Sequence, residues 1–371
     1  MDVHGSTKLM KIMNLGTLLF DGEKVTKGFL KIEADEVQEV CLGEPPTDAT
    51  AGLVLPGFVN AHTHIGDSFA YPAPGLSLEE LVGSPSGYKH QRLRTVPIGQ
   101  KVRGIADSLD IMASCGTSIF SDFREEGLEG VRLLDSVLTA EHPQAIRLSR
   151  PVTDEVTARD LTLLLDAADG IGMSAISDHP MDLLRRLSDA SKGRGKLFSI
   201  HLSENRREDV DSVLSLRPDF VIHATMATEE DLNALGEAGV PVVVCPTSNE
   251  FFGIGLDIPR MLKAGVTVGL GTDNGMICRP DMFQEMRTAF RLSRANGKTA
   301  PMDIVRMATV LGRKILKAEG NTTAGAKNEH DFTVVRVRGD DPMSELVTTV
   351  GAGDVLAVVR GGKVRRSAGW R

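Results

Sequence analysis

Short apolar, β-branched segments alternate with longer segments of helical periodicity from Pro56 to about Ile315, and this alternation restricts the fold more than any other feature. In segments such as REDVDSVLSLR and TEEDLNALGEAG the apolar positions fall three or four residues apart, as in amphipathic helices. Eight strand–helix units in one continuous stretch predict an α/β fold, a parallel (β/α)8 barrel. The predicted strands, in chain order, are LPGFVNAH, TSIFSDF, AIRLSR, GMSAISD, LFSIHLSE, DFVIHATM, VPVVVCPTS and VTVGLGTD.

A doubly wound open sheet is the alternative architecture for such an alternation. No GxGxxG turn follows an early strand, which disfavours that alternative. One helix start is also visible, because Thr228 is followed three residues later by Asp231, and Gly239 supplies a stop.

The two ends of the chain have a different periodicity. Residues 9–54 and 331–366 contain segments that alternate apolar and polar positions, such as GFLKIEADEVQEV and DVLAVVRGGKVRRS, joined by Gly-containing turns. Each end alone has too few strands to bury a core. We therefore expect both ends to pair into one small β-domain beside the barrel.

Composition excludes several classes of function. The net charge is −8 with acidic and basic residues intermixed, so there is no basic stripe and we expect no nucleic-acid partner. The N-terminal segment lacks the pattern of a signal peptide, and no stretch is long and apolar enough for a membrane span, so we expect a cytoplasmic protein without membrane attachment. The four cysteines form no CxxC pair, which argues against a disulfide framework and against a cysteine-rich zinc knuckle: Cys41, Cys115, Cys245 and Cys278.

The segment PGFVNAHTHIGD places His62 and His64 at the end of the first predicted strand. Residues i and i+2 of a strand point to the same side, so the two imidazoles face one volume and suit two ligands of one metal ion. A lone HxH pair arises often by chance and is weak evidence.

Three further metal-competent residues strengthen the case, because His201, His223 and Asp273 each lie at the carboxyl end of a predicted strand. In a (β/α)8 barrel those ends open on one face, where active sites form. The other histidines lack this placement, although His90 could line a pocket: His4, His90, His142, His179 and His330.

The motifs PGFVNAHTH, HLSE, the strand-6 histidine and GTDN, in this order, resemble those of the metal-dependent amidohydrolase superfamily. More narrowly, the chain is similar to the branch of cytosine deaminases, S-adenosylhomocysteine deaminases and chlorohydrolases. The resemblance implies that both chain ends form one composite β-sandwich, with residues 1–54 and 325–371 in that domain and residues 55–324 in the catalytic barrel.

The resemblance also implies a set of metal ligands: His62, His64, His201 and Asp273. Binuclear members carry a carboxylated lysine at the end of strand 4, but GMSAISD contains no lysine, so a single divalent ion is expected. Zinc is the expected ion, with iron(II) as the alternative.

The resemblance implies catalytic roles for three residues. Glu204 follows His201 by three residues, and in the resembling deaminases this glutamate passes a proton between water and a ring nitrogen. From the residues alone, the favoured interpretation of Glu204 is a solvated residue that opens a helix, with Glu208 and Asp209 nearby. Asp273 would accept and return a proton. His223 would stabilise charge that develops in the transition state.

The substrate is less clearly encoded. The Pro- and Gly-rich segment 67–93 is predicted to be a long loop that acts as a lid. Phe251 and Phe252 could flank a flat ring. Thr272 and Asn274 are expected to support Asp273, although Asn274 departs from the serine or glycine common in the deaminases. The candidate substrate contacts are Arg124, Phe252, Asn274 and His90.

The sequence therefore predicts a metal-dependent aminohydrolase that deaminates a purine, a pyrimidine or a related heterocycle, with a small molecule as its partner. A cyclic amide hydrolase, similar to imidazolonepropionase or dihydroorotase, and a triazine-type chlorohydrolase are the alternatives. A catalytically silent scaffold is a third reading, but such relatives typically lose metal ligands, and this chain keeps all four. Homo-oligomer formation stays open.

Overall fold

The computed structural model describes residues 12–71, 75–83, 86–318 and 331–367. His4 and His330 lie outside these ranges, as do 319–330, where the predicted domain boundary falls. The chain divides into two compact units. The first comprises Met1–Gly57, Gly320–Pro342 and Gly353–Arg371, and the second comprises Phe58–Glu319 and Met343–Ala352.

The strands and helices follow one another in the order that the alternation predicts. The strands are β1 (Met13–Leu15), β2 (Leu18–Phe20), β3 (Val25–Glu33), β4 (Glu36–Leu42), β5 (Leu53–Pro56), β6 (Phe58–His64), β7 (Thr117–Arg124), β8 (Gln144–Ser149), β9 (Gly170–Met173), β10 (Leu197–Leu202), β11 (Phe220–His223), β12 (Val242–Val244), β13 (Val268–Leu270), β14 (Asp273–Asn274), β15 (Phe332–Val335), β16 (Val355–Arg360) and β17 (Lys363–Arg366). The α-helices are α1 (Leu78–Val82), α2 (Tyr88–Thr95), α3 (Ile98–Ser114), α4 (Gly127–Val137), α5 (Ala158–Ala167), α6 (Met181–Gly193), α7 (Val210–Ser215), α8 (Glu229–Glu237), α9 (Pro246–Phe252), α10 (Ile258–Lys263), α11 (Met282–Asn296), α12 (Pro301–Met307), α13 (Val310–Ile315) and α14 (Pro342–Leu346).

In the first unit, strands from both chain ends form one sheet in the order β1-β3-β2-β5-β15-β16-β17-β4. β4 also pairs with β3, so the sheet returns to its own starting edge. This differs from the expected sandwich of two sheets, because β3 is long enough to pair with β1 and β2 along one side and with β4 along the other. The core of this unit includes Leu15, Leu30, Val54, Val334 and Leu356, all buried.

In the second unit, nine strand segments form a parallel sheet in the order β13-β12-β11-β10-β9-β8-β7-β6-β14. β13 and β14 are consecutive pieces of the last predicted strand, and β14 pairs with β6, the first. The strands are buried along almost their whole length, as expected for a parallel sheet covered on both faces. All eight predicted strand positions carry a strand.

Asn60 ties the first strand to the last. The side-chain Nδ2 of Asn60 donates to Thr272 Oγ1 at 2.7 Å, and the side-chain Oδ1 of Asn60 accepts from the Thr272 backbone N–H at 2.9 Å. Gly271 lies so close to β6 that an added Cβ would stand 2.7 Å from the carbonyl oxygen of His62. These contacts bring His62 and Asp273 to neighbouring strands.

Three local predictions were wrong at their boundaries. The segment LPGFVNAH is not one strand, because its chain passes at Gly57 from β5 of the first unit to β6 of the second. The strand in GMSAISD ends at Met173 and is followed by the 3-10 helix Ile176–Asp178. The segment 67–93 is not a structureless loop, since its described residues contain α1 and most of α2.

No helix in the described part of the chain combines the length and the apolar character that crossing a membrane requires.

Candidate active site

The metal-competent residues meet at the carboxyl ends of the parallel strands of the second unit. One ligand atom from each of four residues lies within 4.8 Å of the others: His62, His201, His223 and Asp273. His62 Nε2 is 3.3 Å from Asp273 Oδ1, and His64 Nε2 is 3.8 Å from the same oxygen. His223 therefore takes the place in this group that the sequence prediction gave to His64, and His64 forms a second group of this kind with Asp67 and Glu125.

The chemistry of this cluster fits a divalent metal ion. His62 is completely buried, yet neither of its ring nitrogens makes a well-formed hydrogen bond to any described residue. Burial lowers the pKa of His62 and of His223 to about 4, and it holds the pKa of His201 well below the usual range. All three imidazoles are therefore neutral at pH 7, which is the form that binds a metal. Imidazole nitrogens with one carboxylate suit zinc or iron(II).

His64 is oriented by a buried cluster of charged side chains. Its Nδ1 lies 3.1 Å from Glu125 Oε1 and 3.4 Å from Lys89 Nζ, so Nε2 is left to face Asp273. Lys89 Nζ also contacts Glu125 Oε1 at 2.5 Å and Asp67 Oδ2 at 2.8 Å. Burial raises the pKa of Asp67 to about 6, whereas Lys89 and His64 lower the pKa of Glu125 despite its burial. The sequence analysis missed this cluster, because Lys89 falls in the segment interpreted as a lid.

His201 is oriented by the backbone. Its Nδ1 lies 2.8 Å from the carbonyl oxygen of Met173, the last residue of β9. A carbonyl oxygen only accepts, so Nδ1 carries the proton and Nε2 is the nitrogen available to a metal.

Asp273 is held by a serine that the sequence analysis did not identify. Ser248, on α9, donates its hydroxyl hydrogen to Asp273 Oδ2 at 2.6 Å, and Oδ1 is left to face the histidines. The residues expected to support the carboxylate have other partners. Thr272 bonds Asn60, and Asn274 Oδ1 accepts the backbone N–H of Met276 at 2.8 Å.

Glu204 faces His223, with Oε1 at 3.6 Å from His223 Nε2. Burial, and then the negative charge of Asp273, raise the pKa of Glu204 to about 8. A carboxyl group with this pKa is protonated at pH 7 and can act as a proton donor. His223 and Asp273 both have positive φ, 74° and 61°, a strained backbone conformation that clusters at functional sites.

A cavity of about 250 Å³ opens over this cluster. Residues of the candidate metal and proton-transfer site line it: His64, His201, Glu204, His223, Asp273 and Asn274. Apolar side chains contribute Leu78, Val82 and Phe252. Further polar side chains are Lys89, His90, Glu125, Arg150, Ser174, Asp178 and Arg206.

Three of the four candidate substrate contacts line the cavity: Phe252, Asn274 and His90. His90 Nε2 lies 3.2 Å from the carbonyl oxygen of Val82, and burial lowers the pKa of His90 to about 4. Phe251, by contrast, is half exposed and does not line the cavity.

Arg124 is not placed to meet a substrate anion, and that prediction fails for a local reason. Its guanidinium is buried, donates to Asp122 Oδ2 at 3.0 Å and donates to the carbonyl oxygen of Gly130 at 3.1 Å. Asp122 lies two residues earlier on the same strand, so both side chains point to the same side and pair. The cation at the cavity is instead Lys89, with Arg150 and Arg206 at its lining.

Comparison with known proteins agrees with this geometry. The family model described as "Amidohydrolase family" matches residues 53–365. The chain belongs to the amidohydrolase family. It is accordingly an enzyme, a hydrolase that acts on carbon–nitrogen bonds other than peptide bonds. The resemblance seen in the histidine motifs is thereby confirmed.

Individual relatives cover nearly the whole amidohydrolase chain. An uncharacterised protein of Methanocaldococcus jannaschii is 32% identical over 92% of this chain and 92% of its own length. A 5-methylthioadenosine/S-adenosylhomocysteine deaminase of Pyrococcus abyssi is 25% identical over 96% of this chain and 93% of its own. The crystal structure of an adenosine deaminase from Xanthomonas campestris with bound zinc superposes with a TM-score of 0.75 at 19% identity, covering 96% of this chain and 93% of that one. Such neighbours imply a (β/α)8 barrel.

Proposed function

We propose that this amidohydrolase is a mononuclear aminohydrolase that removes the amino group of an aminopurine riboside as ammonia. The observation that carries the proposal is the position of Glu204, which lines the cavity with Oε1 3.6 Å from His223 Nε2, beside the cluster of imidazoles and one carboxylate. The name of the Pyrococcus relative supports the substrate class. The proposal includes the (β/α)8 barrel as the catalytic domain, residues 55–324, and the β-domain from residues 1–54 and 325–371.

One divalent ion would be held by His62, His64, His201 and Asp273, with zinc as the proposed metal. When bound, the ion supplies a nucleophile at pH 7 by lowering the pKa of a water molecule. His64 and His201 are each oriented through Nδ1, which leaves Nε2 available in both. A second ion is not proposed, since strand β9 contains no lysine.

The residues of the chain carry the proton transfers. Asp273 Oδ1 accepts a proton from the attacking water, and Ser248 keeps the other carboxylate oxygen occupied. Glu204 donates its proton to the ring nitrogen next to the reacting carbon, so that attack leaves no uncompensated negative charge on the ring. His223 donates a hydrogen bond to the oxygen that becomes attached to that carbon. The amine then leaves as ammonia after a proton returns from Asp273, and the new hydroxyl group gives its proton to Glu204 as the ring carbonyl forms, which restores Glu204 for the next cycle.

Glu204 is placed for the proton transfer that the deamination of a heteroaromatic ring requires. In that reaction a ring nitrogen must gain a proton before the amine departs. Glu204 lines the cavity, with Oε1 3.6 Å from His223 Nε2, and we infer that it supplies this proton.

The test is to replace Glu204 with Gln and to compare metal content and turnover. We expect Glu204→Gln to retain about one ion per chain and to lower kcat by about 10²- to 10⁴-fold, because only the proton donor is lost. His64→Gln should lose the ion as well as the activity. Glu129→Gln, at an exposed helical position that pairs with Arg132, is the control and should leave both unchanged. Near-normal turnover of Glu204→Gln would refute the role of Glu204.

A further inference from the structure

A serine, a histidine and an aspartate form a hydrogen-bonded chain at the edge of the cavity. Ser174 Oγ lies 2.9 Å from His179 Nε2, and His179 Nδ1 lies 2.7 Å from Asp154 Oδ1. Ser174 lines the cavity, whereas His179 and Asp154 stand behind it and do not. The sequence analysis set His179 aside, since it does not end a strand.

The local sequence builds this arrangement with one tight turn. β9 ends at Met173, and the 3-10 helix Ile176–Asp178 returns the chain so that His179 contacts Ser174. His179 precedes Pro180, which restricts it to the extended conformation seen here, φ −138° and ψ 150°. Pro180 is also the N-cap residue of α6, so His179 is anchored to a helix of the second unit.

The direction of the hydrogen bonds follows from the chemistry of the carboxylate. Asp154 is only an acceptor when ionised, so His179 Nδ1 carries the proton and donates it to Asp154. His179 Nε2 is then the ring nitrogen that contacts Ser174, and this 2.9 Å contact fixes the orientation of the Ser174 hydroxyl group. The remaining hydrogen-bonding capacity of Ser174 Oγ is left for the cavity, which Ser174 lines.

Ser174 stands beside the reacting centre without being part of it. It follows Met173, whose carbonyl oxygen orients His201. The reacting ring must lie against Glu204, His223 and Asp273, which come from other strands. Ser174 is therefore placed to contact the substituent that the ring carries rather than the carbon under attack.

We propose that Ser174 determines substrate specificity by hydrogen bonding a hydroxyl group of the substrate's sugar, with His179 and Asp154 as its positioning residues. This inference rests on the proposed riboside deaminase function. A sugar hydroxyl group both donates and accepts, so it can pair with the Ser174 hydroxyl group in either direction. A base without its sugar would leave Ser174 without this partner.

The experiment compares adenosine with its 2′-, 3′- and 5′-deoxy analogues in the zinc-loaded full chain. Ser174→Ala should lower kcat/KM about tenfold for substrates that carry the recognised hydroxyl, as expected for one lost hydrogen bond. The same variant should change kcat/KM less than about twofold for the analogue that lacks that hydroxyl. Ser174→Thr keeps the hydroxyl group and should restore most of the loss.

The positioning residues are tested by Asp154→Asn and His179→Gln, which should raise KM for the same substrates while leaving kcat for the deoxy analogue unchanged. Ser136→Ala is the matched control, because Ser136 is exposed on α4, does not line the cavity and donates its hydroxyl hydrogen to the carbonyl oxygen of Leu133. An equal loss on all four substrates, or no loss, would overturn the inference while leaving the deaminase function intact. Labelling of Ser174 by a fluorophosphonate, abolished in His179→Gln, would show a nucleophile and also overturn it. If the wild-type chain neither deaminates nor binds any of the four, the proposed function fails first.

Discussion

In this amidohydrolase, a contact with a single residue determines which atom of each candidate metal ligand remains available to a metal ion. Glu125 occupies His64 Nδ1, the Met173 carbonyl occupies His201 Nδ1, and Ser248 occupies Asp273 Oδ2. Each contact orients the remaining nitrogen or oxygen for a metal. Partners of this kind are typically worth 10- to 100-fold in metal affinity.

Ser248→Ala should therefore weaken zinc binding by about 10- to 100-fold, because Asp273 loses the hydrogen bond that fixes its carboxylate. Competition with a chelator of known affinity measures the change. Ser188→Ala is the control, since Ser188 is equally buried and donates to the carbonyl oxygen of Leu216 on the outer helices. Equal zinc affinity in Ser248→Ala and wild type would contradict this role.

The sequence predicted the convergence of the histidines and Asp273, since strand ends are readable from local patterns. It did not reveal Lys89 or Ser248, because each acquires its partner from a distant part of the chain. It also did not reveal Ser174, whose partner His179 is only five residues away but is brought to it by a turn that the strand pattern does not show. Arg124 shows the opposite error. Its side chain was predicted to contact the substrate, whereas the period-two geometry of the strand pairs it with Asp122. The assigned roles of the site residues stay predictions.

In helix α8, a cap that is recognisable in the sequence also stabilises the folded chain. Thr228 and Asp231 form the capping box that the sequence predicted, and Asp231 also accepts two hydrogen bonds from Arg207 at 2.7 and 2.8 Å. These hydrogen bonds outweigh the burial of Asp231 and lower its pKa to about 2. The boundaries at Gly57 and in segment 67–93 were not predicted, because tertiary pairing sets them.

Asp231→Asn should lower the free energy of unfolding by about 1–2 kcal/mol at pH 7, through loss of the charged cap and of the Arg207 pair. The pKa of Asp231 is depressed in the folded state, so the stabilisation is complete above pH 4 and is lost as the pH falls towards 2. Urea denaturation at pH 7, 4 and 3 measures it, with Glu237→Gln, at an exposed position in the last turn of the same helix, as the control. A difference between variant and wild type that does not shrink from pH 4 to pH 3 would contradict this account.

For the molecule as a whole, the alternation of strands and helices predicted the parallel sheet of the second unit correctly. The pairing of β14 with β6 brings residues far apart in the chain into one cluster. Sequence periodicity alone could not show what holds these two strands, since the decisive contact joins Asn60 and Thr272. Strands from both chain ends pair in the first unit, although in one sheet rather than two.

Asn60→Ala should destabilise the chain by about 1–3 kcal/mol, because the buried N–H and hydroxyl of Thr272 lose their partner. Zinc affinity should fall with it, since Asp273 follows Thr272 directly. Ser121→Ala is the control: Ser121 is buried, and its hydroxyl makes no hydrogen bond to the described residues, so the change should stay within about 0.5 kcal/mol. Equal stabilities for the two variants would show that the Asn60 contact contributes little.

The central claim is that this amidohydrolase removes an amino group from a purine riboside by means of one metal ion. The most direct measurement is the ammonia released from 5-methylthioadenosine and adenosine by the chain loaded with one zinc per molecule. We predict one ammonia for each riboside consumed, no release after the zinc is chelated, and recovery when zinc is returned. Zinc-loaded protein that releases no ammonia from either riboside, or that yields only a ring-opened acid, would contradict the claim.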